Sequence, residues 1–519
     1  AIVGRAKIMS IYEDLDSLAR MVLEVDDKVQ DPMEVAAILE AIGVTREAVR
    51  ELGYENMFDL AREVLRIADY YRSLGEIWGE EKPTRIQRLL EAIKLFLSGV
   101  LFSSPWLFIT ISYMFFGISL LPVYEDPLRA TAIDLAMILS MTITSILPPI
   151  FLRRLQFHYY QEDYLNSQRL LIAYYLLGFV VTAVSAIAIW LGFSGAPYPS
   201  WWTIYLIIYF IPFSFFWLAV SPLYFFRRYA ALAISYLVAL GFIGVMYRLM
   251  GAETYLINIY GLLLGAFFSM IYSITFLYIR FKILGVGSEL TAPPRLPFVA
   301  YSGLSYAFVG ALYFLLIFSD RFIVWSISHS GYPLLANIEY EKAANLSLLV
   351  LVLPFGAMNY YLTRLYECIS KEGEKYRMKE IEEYRRAVFK IYLRGLLMTT
   401  ILGAVSLLSL YYILSEIGWI ASEFQLRIFV LSGISYCMIP LFYLGWLLSC
   451  FLYKPEPYSK FLGLAIIISI ILCMAFNRIL GMEYTPAGFA VSTAIMAFLS
   501  LRNSLKDVKE IDQVYLSAF

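Results

Sequence analysis

Charged side chains set inside long apolar runs are the first candidates for chemistry in this sequence. Asp134, the adjacent pair Asp320-Arg321, and Arg364 with Glu367 all lie at or near the ends of such runs. A charge facing hydrocarbon is costly, so groups of this kind turn toward a bundle interior or a water-filled path. Asp320 and Arg321 are neighbours, so on a helix they point to different faces and each calls for its own partner. Arg364 and Glu367 stand one helical turn apart, which also permits local pairing or snorkelling to the interface.

A second set mixes amides with aromatic rings: Asn345, Asn359, Tyr360, Tyr361 and Tyr366. Rings of this type stack on the CH-rich faces of pyranoses, while amides meet sugar hydroxyls. The same residue types also build interfacial belts and helix contacts.

Enzymatic chemistry finds little support. The sequence carries no Walker loop, Rossmann glycine pattern or nucleophile elbow. Its two histidines, His158 and His329, and its four cysteines, Cys368, Cys437, Cys450 and Cys473, show no metal-ligand or disulfide spacing. No metal and no cofactor is therefore expected. One alternative is an integral-membrane glycosyltransferase using a lipid-linked donor, for which Glu125-Asp126 in the first outer loop would supply the acids.

The elements that must position these residues follow from composition. Of 519 residues, 60% are apolar and only 16% charged, with a mean hydropathy of +0.68. Soluble chains carry nearer a quarter charged residues. From Leu95 onward, apolar stretches long enough to cross about 30 Å of hydrocarbon follow one another. Twelve are expected: 95–121, 131–152, 170–193, 202–226, 229–250, 255–281, 297–319, 346–366, 391–415, 426–453, 460–480 and 487–503. Each must be helical, because an unpaired backbone is costly in lipid.

Basic residues set a direction. With a cytoplasmic N-terminus, the inner loops carry nineteen Lys and Arg, nine of them between Arg364 and Arg394, against five in the outer loops. The positive-inside rule then places both termini in the cytoplasm and the protein in the cytoplasmic membrane. No cleavable secretory signal is visible in the charged N-terminal stretch. A proline-rich crossover at Thr291–Pro297 divides the spans into two sets of six, the layout of a transporter working by alternating access. Leu147-Pro148 with Arg154-Leu155, and Leu353-Pro354 with Arg364-Leu365, are a faint internal repeat across that divide.

Ahead of the spans lies a different object. Residues 1–92 hold 12 basic and 19 acidic residues, whereas the remainder holds 29 and 23. So acidic a segment is a poor match for nucleic acid or anionic lipid. Ile11, Leu15, Leu18, Val22 and Val25 form a heptad seam, and Met57, Leu60, Val64, Ile67, Tyr71 and Leu74 form another. Two seams in one short segment pack on each other as a small helical bundle, or offer a docking face to a partner subunit. The expected organisation is an all-α polytopic membrane protein: a cytoplasmic helical domain at 1–82, a first six-span half at 83–290, and a second half with a cytoplasmic tail at 291–519.

Two motifs resemble a known family. Ser103-Ser104-Pro105-Trp106-Leu107 is similar to the Ser/Gly-Pro-Trp stretch that opens PelG-type proteins. Ser319-Asp320-Arg321-Phe322-Ile323-Val324-Trp325 resembles their Ala-Asp-Lys-Phe-x-x-Trp signature, with Arg321 in the lysine position. Leu353-Pro354-Phe355-Gly356-Ala357-Met358, with the charged loop after it, matches the family's arrangement. The first 85 or so residues have no counterpart in that family. The resemblance implies a fold of the multidrug/oligosaccharidyl-lipid/polysaccharide (MOP) flippase superfamily. It implies export of a polysaccharide or lipid-linked glycan, in contact with membrane lipids, a cytoplasmic glycosyltransferase or synthase, and other export-complex subunits. Joined to the residues above, it gives a candidate set for substrate binding or transport of Asp134, Asp320, Arg321, Trp325, Asn359, Tyr360, Tyr361, Arg364 and Glu367. A structural subunit of an exopolysaccharide synthase complex, or a flippase for a small molecule or lipid, are the other readings of such a chain.

Overall fold

In the N-terminal part, capping residues set the helices. Asp31 accepts a hydrogen bond from the Met33 amide at 2.9 Å ahead of Pro32, and Thr45 accepts one from the Ala48 amide at 3.3 Å. The computed structural model describes residues 15–26, 29, 31–74, 84–103, 105–108, 110, 126–250, 255–284, 294–327, 331–372, 381–452 and 454–512. The chain divides into two units, Ala1–Ala92 and Ile93–Phe519.

In the first unit, α1 (Leu15–Val25), α2 (Pro32–Ala41), α3 (Arg46–Glu51) and α4 (Met57–Leu74) enclose a small apolar core. Leu18 and Val22 from one heptad seam meet Leu60 and Val64 from the other, with Val35 and Leu39 between. Val25 leaves the seam and is exposed, because α1 ends there. Ile11 lies outside the described residues.

The second unit is built from α5 (Arg85–Phe102), which enters it from the first, α6 (Pro127–Thr144), α7 (Leu147–Tyr160), α8 (Tyr164–Phe193), α9 (Ser200–Phe225), α10 (Tyr229–Met250) and α11 (Tyr255–Leu284). It continues with α12 (Leu296–Ile317), α13 (Ser319–Ser326), α14 (Ile338–Ser347), α15 (Val352–Glu367), α16 (Ile381–Glu416), α17 (Glu423–Phe451), α18 (Glu456–Leu480) and α19 (Thr485–Lys509). Among the described residues, eleven helices are long and apolar enough to cross a membrane. They correspond one for one to the expected second to twelfth spans. Residues 104, 109 and 111–121 of the expected first span, 95–121, lie outside the described residues. One boundary differs in a way that matters. The span expected at 346–366 is a helical run from Ile338 to Ser370, so it begins eight residues earlier.

Helices α6 to α11 pack among themselves, as do α12 to α19, and α12 also packs on α6 and α7. Proline chemistry prepares that contact. Pro148 and Pro149 have no amide hydrogen to offer the carbonyls four residues back, so the helix breaks between Thr144 and Leu147 and the Ser145 carbonyl is left free. Gly310 of α12 backs onto that carbonyl so closely that a Cβ there would lie 2.5 Å from it. Seven residues earlier, a Cβ on Gly303 would lie 2.6 Å from the Ile150 Cα. Small residues let two backbones approach in lipid, where apolar burial alone does not drive helices together.

A buried charge cluster as the candidate functional site

The site is organised by a short helix. After α12 ends, Phe318 adopts a non-helical φ of −106° and ψ of 10°, and the chain restarts as α13 in a new direction. The bend carries Asp320, Arg321 and Trp325 into the bundle, where all three are fully buried. Ser319 anchors the bend from the other side, its hydroxyl 2.7 Å from that of Ser469 on α18.

Each charge finds a partner on α14. Arg321 Nη1 donates to Glu341 Oε2 at 2.6 Å, and Trp325 Nε1 donates to the other oxygen, Oε1, at 2.8 Å. Tyr340, next in sequence to Glu341, donates its hydroxyl to Asp320 Oδ2 at 2.7 Å. Two adjacent pairs therefore face each other, 320–321 against 340–341. Helix α14 is held in place by Asn337, whose side chain accepts from the Tyr340 amide at 3.0 Å. Asp134, from α6 in the other helix group, lies within electrostatic reach of Glu341 and Arg321. Tyr436 of α17 is likewise close to Arg321 and Asp320 and fully buried.

Two carboxylates and one guanidinium thus share a water-poor interior, with the half-buried Asp134 near them. Hydrogen bonds satisfy only part of it: among the described residues, Asp320 Oδ1, Arg321 Nε and Nη2, and the Tyr436 hydroxyl have no hydrogen-bond partner. Buried polar atoms are normally paired, so an under-satisfied cluster holds unused capacity to bind something polar. Arg321 also lies over the Phe318 ring at 5.0 Å, and Trp106 meets the same ring edge-on at 6.4 Å. Phe318, the residue before the Ser319–Trp325 motif, thus lies between Arg321 of that motif and Trp106 of Ser103–Leu107.

The remaining candidates lie elsewhere. Asn359 is eighteen residues beyond Glu341 on one helical run, about 27 Å at 1.5 Å per residue. Its amide donates to the Leu95 carbonyl at 2.8 Å, beside a close crossing of α5 and α15 at Gly99 and Gly356. Tyr360 and Tyr361 pack edge to face at 4.9 Å, and Tyr361 Cβ fills the space beside Gly395. Arg364 pairs with Glu367 at 3.1 Å and lies 5.9 Å from the Tyr360 ring centroid. Tyr366 donates to the Leu447 carbonyl at 2.8 Å and stacks on Phe451. The structure brings Asp134, Asp320, Arg321 and Trp325 together and sets Asn359, Tyr360, Tyr361, Arg364 and Glu367 apart from them.

Sequence reasoning missed Glu341 and Tyr340. A span starting at 346 leaves both in the loop before it. Asn337 followed by Glu339 and Glu341 is a helix-start pattern, an N-cap with acids in the first turn, and it was the available signal. Asp126 is taken up as the N-cap of α6, accepting from the Leu128 amide at 3.0 Å, and Glu125 lies outside the described residues. Among the described residues, no group of three or more His, Cys, Asp or Glu is placed to hold a metal ion.

A second polar feature lies at the far end of α12. A cavity of about 580 Å³ opens between the helix groups, lined by Arg153 of α7, Ser302, Ser305 and Tyr306 of α12, and Lys454, Glu456, Asn503 and Asp507. Arg153 lies 3.9 Å over the Tyr306 ring. The buried charges and this cavity sit at opposite ends of the same helix.

With this geometry in hand, comparisons define the relatives. The family described as "PelG: Putative exopolysaccharide Exporter (EPS-E)" matches residues 84–515. No curated protein matches the chain. Among solved structures, an outward-facing multidrug resistance MATE family transporter of the MOP superfamily is similar with a TM-score of 0.57 at 10% identity, over 81% of this chain and 96% of that one. An inward-facing transporter of the same description aligns with a TM-score of 0.54 at 12% identity, over 80% and 96%. A point variant of the Vibrio cholerae MATE transporter VcmN gives 0.55 at 12% identity, over 82% and 98%. At such identity the likeness establishes a MOP-type fold and nothing finer.

Proposed function

The chain belongs to the PelG exopolysaccharide exporter family, and from that premise we propose that it carries a polysaccharide or lipid-linked glycan across the cytoplasmic membrane by alternating exposure of the space between its two helix groups. The observation that carries the reading is the position of the charge cluster. Arg321 and Glu341 belong to one helix group and Asp134 to the other, and they meet inside the membrane-spanning bundle. A buried charge pair is a poor stabiliser, because desolvation cancels most of its attraction. Charges retained at such a depth mark transport paths. When the groups part, water enters and the cluster presents a guanidinium, carboxylates, a phenol and an indole to sugar hydroxyls.

The cavity at the other end of α12 is lined by Arg153 and Lys454, with Arg154 next to Arg153 in α7 and Arg295 directly before α12 in sequence. By the positive-inside rule that end is cytoplasmic, which puts both termini in the cytoplasm and the charge cluster in the outer half. No nucleotide-binding motif is present, so the energy comes from an ion gradient or from polymerisation by a cytoplasmic synthase. The acidic first unit and the charged start of α16 are the surfaces offered to that synthase. The span 8 set, Asn359, Tyr360, Tyr361, Arg364 and Glu367, would then line the cytoplasmic approach rather than the central cluster.

The test is polymer appearing outside cells, or in the lumen of inverted vesicles, with wild type compared against Asp320→Ala, Arg321→Ala and Glu341→Gln at matched protein levels. Loss of export with the protein still in the membrane supports the reading. Unchanged export in all three sinks the role of the cluster and leaves a structural subunit.

A further inference from the structure

At the end of the bundle that holds the charge cluster, a short connection ties the two helix groups together. Residues 331–337 lead into α14 in one group; the Leu335 amide donates to the Trp325 carbonyl of that group at 3.0 Å, while the flanking Leu334 and Ala336 bond to the other group. Tyr198, between α8 and α9, donates its hydroxyl to the Leu334 carbonyl at 2.9 Å and accepts from the Leu334 amide at 2.9 Å. Two residues on, the Ala336 amide donates to Thr131 Oγ1 at 2.8 Å. Rings extend the attachment: Tyr198 stacks on Trp202 at 3.9 Å and 7°, and on Tyr332 at 5.5 Å and 11°. Trp202 is fixed in turn by its indole, which donates to the Leu128 carbonyl at 2.9 Å.

We propose that residues 331–337 are a latch that closes this end of the cleft, with Tyr198 as the catch. The proposal rests on the transport reading above and adds its regulation. Three features distinguish the contact from ordinary packing. It uses backbone groups that belong to no helix and that must otherwise find water. It is reciprocal at one phenol, so a single hydroxyl holds both polar groups of Leu334. It also runs directly into the charge cluster: Asn337, which caps α14, ends the latch, and Tyr340 and Glu341 follow within one turn. On the facing side Thr131 precedes Asp134 by one turn of α6. Releasing the latch therefore moves both walls of the cluster, and closing it returns Arg321 to Glu341 out of water. At the opposite end of α12 a polar cavity opens beside the Gly303–Ile150 crossing, lined by Arg153 of one group and by Tyr306 and Lys454 of the other.

The experiment pairs Thr131→Cys with Ala336→Cys in the full-length chain, in cells making polymer, with the native cysteines replaced. Under mild oxidation a disulfide forms in high yield, export falls at least about tenfold, and reductant restores it. A second arm adds Tyr198→Phe, which keeps the stacked ring and removes both hydrogen bonds to Leu334. Two such bonds shift the closed-to-open equilibrium by about tenfold, so the initial rate of disulfide formation drops, by up to that factor. The cross-linking rate is read without polymer, so it tests the latch even where the transport reading fails. Failure of the pair to cross-link, or a rate that Tyr198→Phe does not change, overturns the latch. A fully formed disulfide with undiminished export overturns its role as a gate.

Discussion

Arg321 and Glu341, twenty residues apart, face each other at 2.6 Å with the guanidinium completely shielded from solvent. Removing one partner leaves the other charge buried alone, which costs about 3–5 kcal/mol. Arg321→Met alone should therefore lower the melting temperature of the purified protein sharply. The double variant Arg321→Met with Glu341→Leu should recover most of that loss, since an apolar pair of similar volume is often as stable as the ion pair. Export should remain absent in the double variant. A double variant that is stable and still exports would show that the charges are dispensable.

Tyr340 is the one hydrogen-bonding side chain that Asp320 has among the described residues. Tyr340→Phe should destabilise by about 1–3 kcal/mol, because a buried acceptor is left without its donor. In the background of Asp320→Ala the same change should cost far less. A double-mutant cycle on thermal unfolding measures the difference, and additive effects would place the two groups apart in solution.

Gly310 and Gly463 make a matched pair of tests on helices of the same unit. A Cβ at Gly310 meets the freed Ser145 carbonyl, while one at Gly463 meets nothing within 4 Å. Gly310→Ala should cost about 1–3 kcal/mol and impair export, because overpacking forces α12 away from α6 and α7. Gly463→Ala should be neutral or slightly stabilising. Equal behaviour of the two would mean that the close crossing does not exist.

His158, at the end of α7, has its Nδ1 3.2 Å from Asp163 Oδ2. Burial holds its pKa below the ordinary 6.5, with Asp163 opposing that shift. The unfolded chain then binds a proton more readily than the folded one. Stability is full above about pH 6.5 and declines as pH falls from there toward the lowered folded value. His158→Gln should make the melting temperature less dependent on pH between about 7.5 and 5.5 than in wild type. A steeper dependence in the variant would contradict the sign.

Much of the architecture was legible in the chain because it answers to local rules. A helix that crosses lipid must be apolar over its own length, so eleven spans could be drawn from composition alone, most ends falling within a turn. The heptad seams of the first unit and the caps at Asp31 and Thr45 were local in the same sense. Asp134, Asp320 and Arg321 stood out because a charge in an apolar run is visible without knowing its neighbours.

What the charges meet was decided only by folding. Glu341 looked like a loop residue because hydropathy averages over a window, and the polar start of α14 blurred into the loop before it. The approach of Asp134 to Arg321 joins helices from separate groups, and the bond from Tyr198 to Leu334 spans 136 residues. No spacing rule reaches across such distances. The aromatic and amide residues of α15 show the converse: composition grouped them with the buried acids, and 1.5 Å per residue along one helix set them apart. Sequence alone determined which segments enter the membrane and which side chains are costly there, because lipid acts on each segment separately. The tertiary structure chose their partners, because a buried charge is satisfied only by whatever the packing of other helices brings within hydrogen-bonding distance.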